Sequence, residues 1–143
     1  MRGASDRHIQ HLSEVPLFSA CSKKDLMKVA RASDEISVPE GKELCKEGQT
    51  GREFFLILAG TASVKRKGRK VATLGKGQFF GEMALLDRGP RSATVVADTD
   101  MTLLVLGQRE FGGLVDEVSG LAHKLLAAMA SRLREADARD VSH

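Results

Sequence analysis

Two hydrophobic periods divide the chain. From Ile36 to Leu106 apolar residues form short runs or alternate with polar ones, the period of two expected of half-buried strands, whereas from Gln108 onward they recur at helical spacing. Ile36 and Val38 alternate with polar neighbours before the turn Pro39-Glu40-Gly41, and Leu44 and Cys45 begin a short strand that stops at Glu47-Gly48. Phe54 to Leu58 is a continuous apolar run that ends near Gly60; Ala62 and Val64 then alternate with Thr61, Ser63 and Lys65, and Val71 to Leu74 returns after a basic turn. Gly75 and Gly77 turn the chain again ahead of Phe79-Phe80, and Ala93 to Ala97 and Met101 to Leu106 are separated by Asp98-Thr99-Asp100.

Helices are expected on either side of the strands. Ser5 to Glu14 predicts a short one, Pro16-Leu17-Phe18 breaks it with an apolar plug, and Ser22 caps a second whose inward face is Leu26, Met27, Val29 and Ala30. At the other end Phe111, Leu114, Val115 and Val118 form one stripe, and Leu121, Leu125, Met129 and Leu133 another, which Leu126 widens. Glu135 to His143 is polar, has no stripe, and reads as a fraying tail. The fold class is α+β, mainly β: an antiparallel β-roll flanked by helices. One domain over 1–143 is expected, with N-terminal helices in 1–33, the roll in 34–106, C-terminal helices in 107–136 and a tail in 137–143.

Composition narrows the setting. The 143 residues, 42% hydrophobic and 29% charged, suffice for one core and not two. No apolar run is long enough to span a bilayer or to serve as a secretory signal at the N-terminus, so a cytoplasmic protein without membrane contact is expected. Cys21 and Cys45 lack any metal-site or disulfide spacing and read as free buried thiols. The net charge of +3 invites a nucleic-acid reading, yet the dense cluster is Lys65-Arg66-Lys67-Gly68-Arg69-Lys70, which straddles a glycine between strands. A solvated hairpin tip explains it, with contact to an acidic partner or surface as the alternative, and no aromatics interleave it for base stacking.

The chemistry concentrates in residues 80–95, FGEMALLDRGPRSATV. Gly81 permits close backbone approach, Glu82 to Leu86 predict a short helix whose unpaired N–H groups attract negative charge, and Arg91 follows the Gly89-Pro90 turn with a planar fork suited to two phosphate oxygens. Ser92 adds a hydroxyl. Glu82 would repel a phosphate unless its oxygens face a sugar hydroxyl instead, so the ligand these residues call for is a ribose phosphate.

This segment resembles the phosphate-binding cassette of the cyclic-nucleotide-binding domain family, F-G-E-x-A-L-x-x-x-x-P-R-x-A-x-V, at Phe80, Gly81, Glu82, Ala84, Leu85, Pro90, Arg91, Ala93 and Val95. The likeness extends from about Val15 to Leu133. It implies a jelly-roll-like barrel and a set of ligand contacts. Glu82 accepts from the ribose 2′-hydroxyl; the backbone N–H groups of Gly81, Met83 and Ala84 surround sugar and phosphate; Arg91 pairs with the exocyclic oxygens; Ser92 and Ala93 follow it; and Val64, Val71 and Ala72 pack on the purine. The alternative for Arg91 is a surface salt bridge with Glu82 or Asp87, and for Glu82 a helix N-terminal acid.

The resemblance makes the chain a sensor, with cyclic AMP as the first choice of ligand and cyclic GMP as the second, and with C-terminal helices that repack to signal to an unidentified downstream protein. Only ten residues follow Leu133, so no helix-turn-helix fits there and no direct DNA binding is expected. The Leu121–Leu133 stripe has two readings, a homodimer contact and packing on its own barrel. An enzyme finds little support: G-x-S-x-G, H-E-x-x-H and Walker patterns are missing, and His8 and His11 have no third ligand nearby, so neither catalytic residues nor a metal are expected. A third reading keeps the fold as an interaction module that binds no nucleotide.

Overall fold

The computed structural model describes residues 6–19, 21–81, 90–118 and 120–141. Two short helices, α1 (Asp6–Ser13) and α2 (Lys23–Ala32), flank a 3-10 turn at Pro16–Phe18. Eight strands follow: β1 (Asp34–Val38), β2 (Glu43–Cys45), β3 (Glu53–Ala59), β4 (Ala62–Arg66), β5 (Arg69–Leu74), β6 (Phe79–Phe80), β7 (Thr94–Ala97) and β8 (Met101–Gly107). Helices α3 (Gln108–Glu117) and α4 (Leu121–Val141) end the described chain. The strands form two four-stranded sheets in the orders β1-β8-β3-β6 and β2-β7-β4-β5, every pairing antiparallel. The expected β-roll is the fold found.

The central strands of the first sheet, β3 and β8, are covered on both faces, which accounts for the unbroken apolar run of β3, whereas the edge strand β1 is exposed. Phe54, Leu56 and Leu58 face the helices with Leu104 and Leu106, whereas Phe55 and Ile57 turn into the roll with Met101 and Leu103. On the helical side Phe54 stacks on Phe111 at 4.7 Å between ring centroids and meets Phe79 at 5.4 Å, tying α3 to the sheet. Inside the roll Phe55 stacks on Phe80 at 4.8 Å.

Local chemistry sets the boundaries. The Ser22 hydroxyl accepts the Asp25 N–H at 3.1 Å and starts α2 as expected. Leu17 and Phe18 are buried, so the plug does pack. A two-residue turn, with Lys67 at φ 52° and Gly68 at φ 78°, joins β4 to β5.

Three expectations need correction. Leu126 does not widen the inward stripe of α4: it is 63% exposed, while Leu121 and Leu125 are buried, because the helix meets the core over a narrow arc. The polar tail expected from Glu135 continues α4 to Val141, since Ala136, Ala138 and long straight side chains favour helix without an apolar stripe. Cys21, just ahead of α2, is only half-buried, and neither it nor the buried Cys45 is in a disulfide. No helix among the described residues is long and apolar enough to cross a membrane.

Candidate functional site

The backbone of Arg91 is pinned on both sides. Its N–H donates to the Gln49 carbonyl at 2.8 Å, its carbonyl accepts from the Gly48 N–H at 2.9 Å, and Pro90 bridges Thr50. The 48–50 turn and the exit of the cassette therefore move as one piece. From there the side chain runs inward and is only 8% exposed.

The guanidinium connects the two ends of the cassette. One terminal nitrogen donates to the Glu53 carbonyl at 2.7 Å and the other to the Gly81 carbonyl at 3.1 Å, and the Cζ atom lies 6.0 Å from the centroid of the Phe55 ring. Two glycines make this fit possible. A Cβ on Gly81, at φ +93°, would stand 2.6 Å from both the Glu53 carbonyl oxygen and the Arg91 guanidinium. A Cβ on Gly51 would stand 1.7 Å from the Arg91 Nε.

Electrostatically the arrangement is lopsided. Among the described residues the partners of Arg91 are carbonyl oxygens and an aromatic face, none of which carries a full negative charge. Two of the five guanidinium N–H groups suffice for the two carbonyl bonds. Arg91 is 8% exposed and so is not a surface residue; Glu82 and Asp87, its alternative ion-pair partners, lie outside the described residues. A buried, fixed cation held by dipoles is what an anion-binding site requires.

Of the other expected site residues, the structure brings several to the same end of the roll. Val64 and Ala72 stand opposite each other in the β4–β5 register, and Val64 also pairs with Val95 and packs against the inner core. Val71 occupies a register shift between these strands and is 42% exposed. Ser92 is exposed and Ala93 half-buried beside Arg91. Glu82, Met83 and Ala84, with Asp87 and the expected cassette helix, lie outside the described residues, as do the side chains of His8, His11 and Leu133.

Sequence reasoning missed Gly51 and the two carbonyl anchors. The spacing Gly48-x-x-Gly51 was a visible signal of a tight approach; the carbonyls of Glu53 and Gly81 had none, because a backbone oxygen is the same whatever residue bears it. A separate cleft of about 570 Å³ opens between α1, β1 and the β5–β6 turn, lined by Glu14, Glu35, Leu58 and Lys76 among others. With two carboxylates to one lysine there, a phosphate is better served by Arg91.

Comparison with known proteins decides the family. The profile described as Cyclic nucleotide-binding domain matches residues 35–118, well over half of the chain. The chain belongs to the cyclic nucleotide-binding domain family. It is 38% identical over 115 residues to the cAMP-dependent protein kinase regulatory subunit of Aspergillus fumigatus, covering 79% of this chain and 28% of that protein. The crystal structure of the Thermus thermophilus catabolite activator protein is similar with a TM-score of 0.79 at 36% identity, over 87% of this chain and 61% of that one. The regulatory domain of Toxoplasma gondii PKA, in a co-crystal structure with cAMP, gives 0.66 at 31% identity over 74% of this chain and 42% of that one. This domain thus spans between about a quarter and three fifths of the length of these relatives.

Arg91, Pro90 and Gly81 stand at the cassette positions quoted from the sequence, and around Arg91 the geometry is that of a buried fork, flanked by glycines, beside the Phe55 ring of the inner core. Among the described residues no group of three or more His, Cys, Asp or Glu could hold a metal ion.

Proposed function

We propose that this domain is a cyclic-nucleotide sensor in which Arg91 holds the exocyclic phosphate, with cyclic AMP favoured over cyclic GMP. The observation that carries the reading is a guanidinium 8% exposed and aligned by the Glu53 and Gly81 carbonyls, because a fork held in one orientation suits the planar geometry of phosphate oxygens. A fold-only interaction module could satisfy the two carbonyls with a neutral donor and has no need of a buried charge.

In this reading Glu82 grips the ribose 2′-hydroxyl, the N–H groups of Gly81, Met83 and Ala84 and the hydroxyl of Ser92 complete the cradle beside Ala93, and Val64, Val71 and Ala72 cover the purine. The domain occupies 1–143, with the cassette at 80–95. It performs no reaction on the nucleotide: Arg91 binds and orients, and the one acid of the cradle is directed at the sugar rather than at a water. Binding at the cassette repacks α3 and α4, which carries the signal to a downstream protein in the cytoplasm, without DNA contact by this domain. Leu126, exposed on α4, makes a homodimer through 121–133 the second use of that helix. A ligand moves such an equilibrium only through its difference in affinity for the two arrangements.

Calorimetric titration with cyclic AMP and cyclic GMP tests the proposal. Both are expected to bind, cyclic AMP more tightly, and Arg91→Ala is expected to weaken binding by about 2–5 kcal/mol, the usual loss when one partner of a desolvated charge pair is removed. No heat with either nucleotide, or a loss under about tenfold in a folded Arg91→Ala variant, sinks the assignment. Conversion of cyclic AMP to AMP during the titration would make the domain an enzyme.

A further inference from the structure

The basic turn between β4 and β5 is not accounted for by the cradle, and three features set it apart from an ordinary solvated tip. The first is its share of the charge. Five of the 22 basic residues lie in the six positions 65–70; the other 17 face 19 acids, so apart from this turn the chain is net −2. The second is that the register places like charges directly opposite each other twice, Lys65 against Lys70 and Arg66 against Arg69. Such pairs destabilise a hairpin, so the fold is better off without them.

The third is position. The Lys67 N–H donates to the Glu47 carboxylate at 2.9 Å, the Glu47 N–H donates to the Thr94 hydroxyl at 3.0 Å, and the neighbouring Gly48 N–H donates to the Arg91 carbonyl at 2.9 Å. The turn is thus fastened to the segment that carries Arg91. Ala62 and Val64 pack into the roll, and residues two apart on a strand share a face, so Arg66 lies on the Val64 face of β4 and Arg69 opposite it. Both arginines stand at the rim above the wall formed by Val64 and Ala72.

We propose that Arg66 and Arg69 form an electrostatic collector that draws an anionic nucleotide toward Arg91, raising its association rate without contributing to the hold on the bound ligand. This rests on the nucleotide reading above. Lys65 pairs with Thr94, three residues from Arg91, and three residues span at most about 10 Å, so the base of the arginine pair lies on the order of 10 Å from the Arg91 backbone. At that distance in water each cation raises the local concentration of a monoanion about twofold, and two raise it roughly fourfold when salt is low. Added salt screens the effect within about 10 Å at 0.1 M. Glu47 offsets part of the charge at the tip, and the neighbouring Lys46 restores it.

The test is stopped-flow binding of a fluorescent cyclic AMP derivative to the full chain at several ionic strengths. The double variant R66Q/R69Q is expected to bind about three- to fivefold more slowly than the parent at low salt, to show a flatter dependence on salt, and to release the ligand at a rate within about twofold of the parent. Its thermal midpoint should equal or exceed that of the parent, since an opposed like-charge pair is gone. The variant K23Q/K24Q removes the same net charge from exposed positions on α2 and should leave the association rate unchanged. An equal slowing in both variants would make net charge the cause and overturn the collector, as would an unchanged rate in R66Q/R69Q. If the parent itself binds no nucleotide, the functional reading fails along with the collector; if it binds normally and only the rate comparison fails, the functional reading stands.

Discussion

The structural task of Arg91 separates experimentally from the ligand-binding one proposed for it. Its bonds to the Glu53 and Gly81 carbonyls hold the mouth of the cassette together, so Arg91→Ala leaves two buried acceptors short of a donor and should lower stability in urea by about 1–3 kcal/mol, apart from its effect on affinity. Arg91→Lys should keep the charge and lose the fork, so affinity falls even where folding recovers. Gly81 is held more strictly than Gly51. At φ +93° with a carbonyl 2.6 Å from its would-be Cβ, Gly81→Ala should cost about 1–3 kcal/mol or more in the same unfolding measurement, whereas Gly51 has no left-handed φ and is obstructed by the Arg91 guanidinium, so a side chain there pushes the fork off its carbonyls instead of straining the backbone. Cys21 gives a pH test. Burial raises its thiol above the ordinary range, Asp25 adds to the shift and Lys124 opposes it, so the folded protein disfavours the thiolate. Alkylation by iodoacetamide should therefore be slower at pH 8 than for a free cysteine and accelerate only at more alkaline pH; because the unfolded thiol ionises first, stability from this group falls as pH rises past the unfolded value.

At the level of elements, what the sequence revealed depended on whether side chains carried the information. The strands were legible because period two and glycine turns are written in side chains, and β3 stood out because it is apolar on both faces. The family was legible for the same reason, through a spaced set of glycine, acid, proline and arginine. Carbonyl anchors, the register shift at Val71 and the arc of α4 were not, since each is set by how backbones meet rather than by composition. Leu126 shows the limit: its spacing suits the stripe, yet the helix is rotated so that Ala128 and Met129 pack on the core instead. Helix α3 contains a further oddity. Gly112 has open space around it and Gly113 meets only the Glu117 side chain at 3.8 Å, so neither is required by packing. Replacing both by alanine should stabilise the domain by about 1–2 kcal/mol in urea titrations.

For the whole molecule, a ligand that binds the folded state alone adds stability by mass action. Cyclic AMP at a hundred times its dissociation constant should add about 2.7 kcal/mol and raise the thermal midpoint accordingly, and Arg91→Ala should lose that response. If the signal passes to α3 and α4, amide exchange across residues 108–133 should slow on adding nucleotide; equal exchange with and without it would show that the cassette and the helices are uncoupled.

One contact between distant parts of the chain has mechanical meaning. Lys124 on α4 donates to the Ser19 hydroxyl at 2.9 Å and reaches the Pro16 carbonyl at 3.5 Å, while Leu121 and Leu125 belong to the same core as Leu17 and Phe18. A pull applied at Val141 in an optical trap is therefore borne first by the 3-10 turn and not by either sheet. Tension on that handle should peel the helix from its seat at low force, well before the strands rupture, so the roll is shielded from traction that the helix transmits.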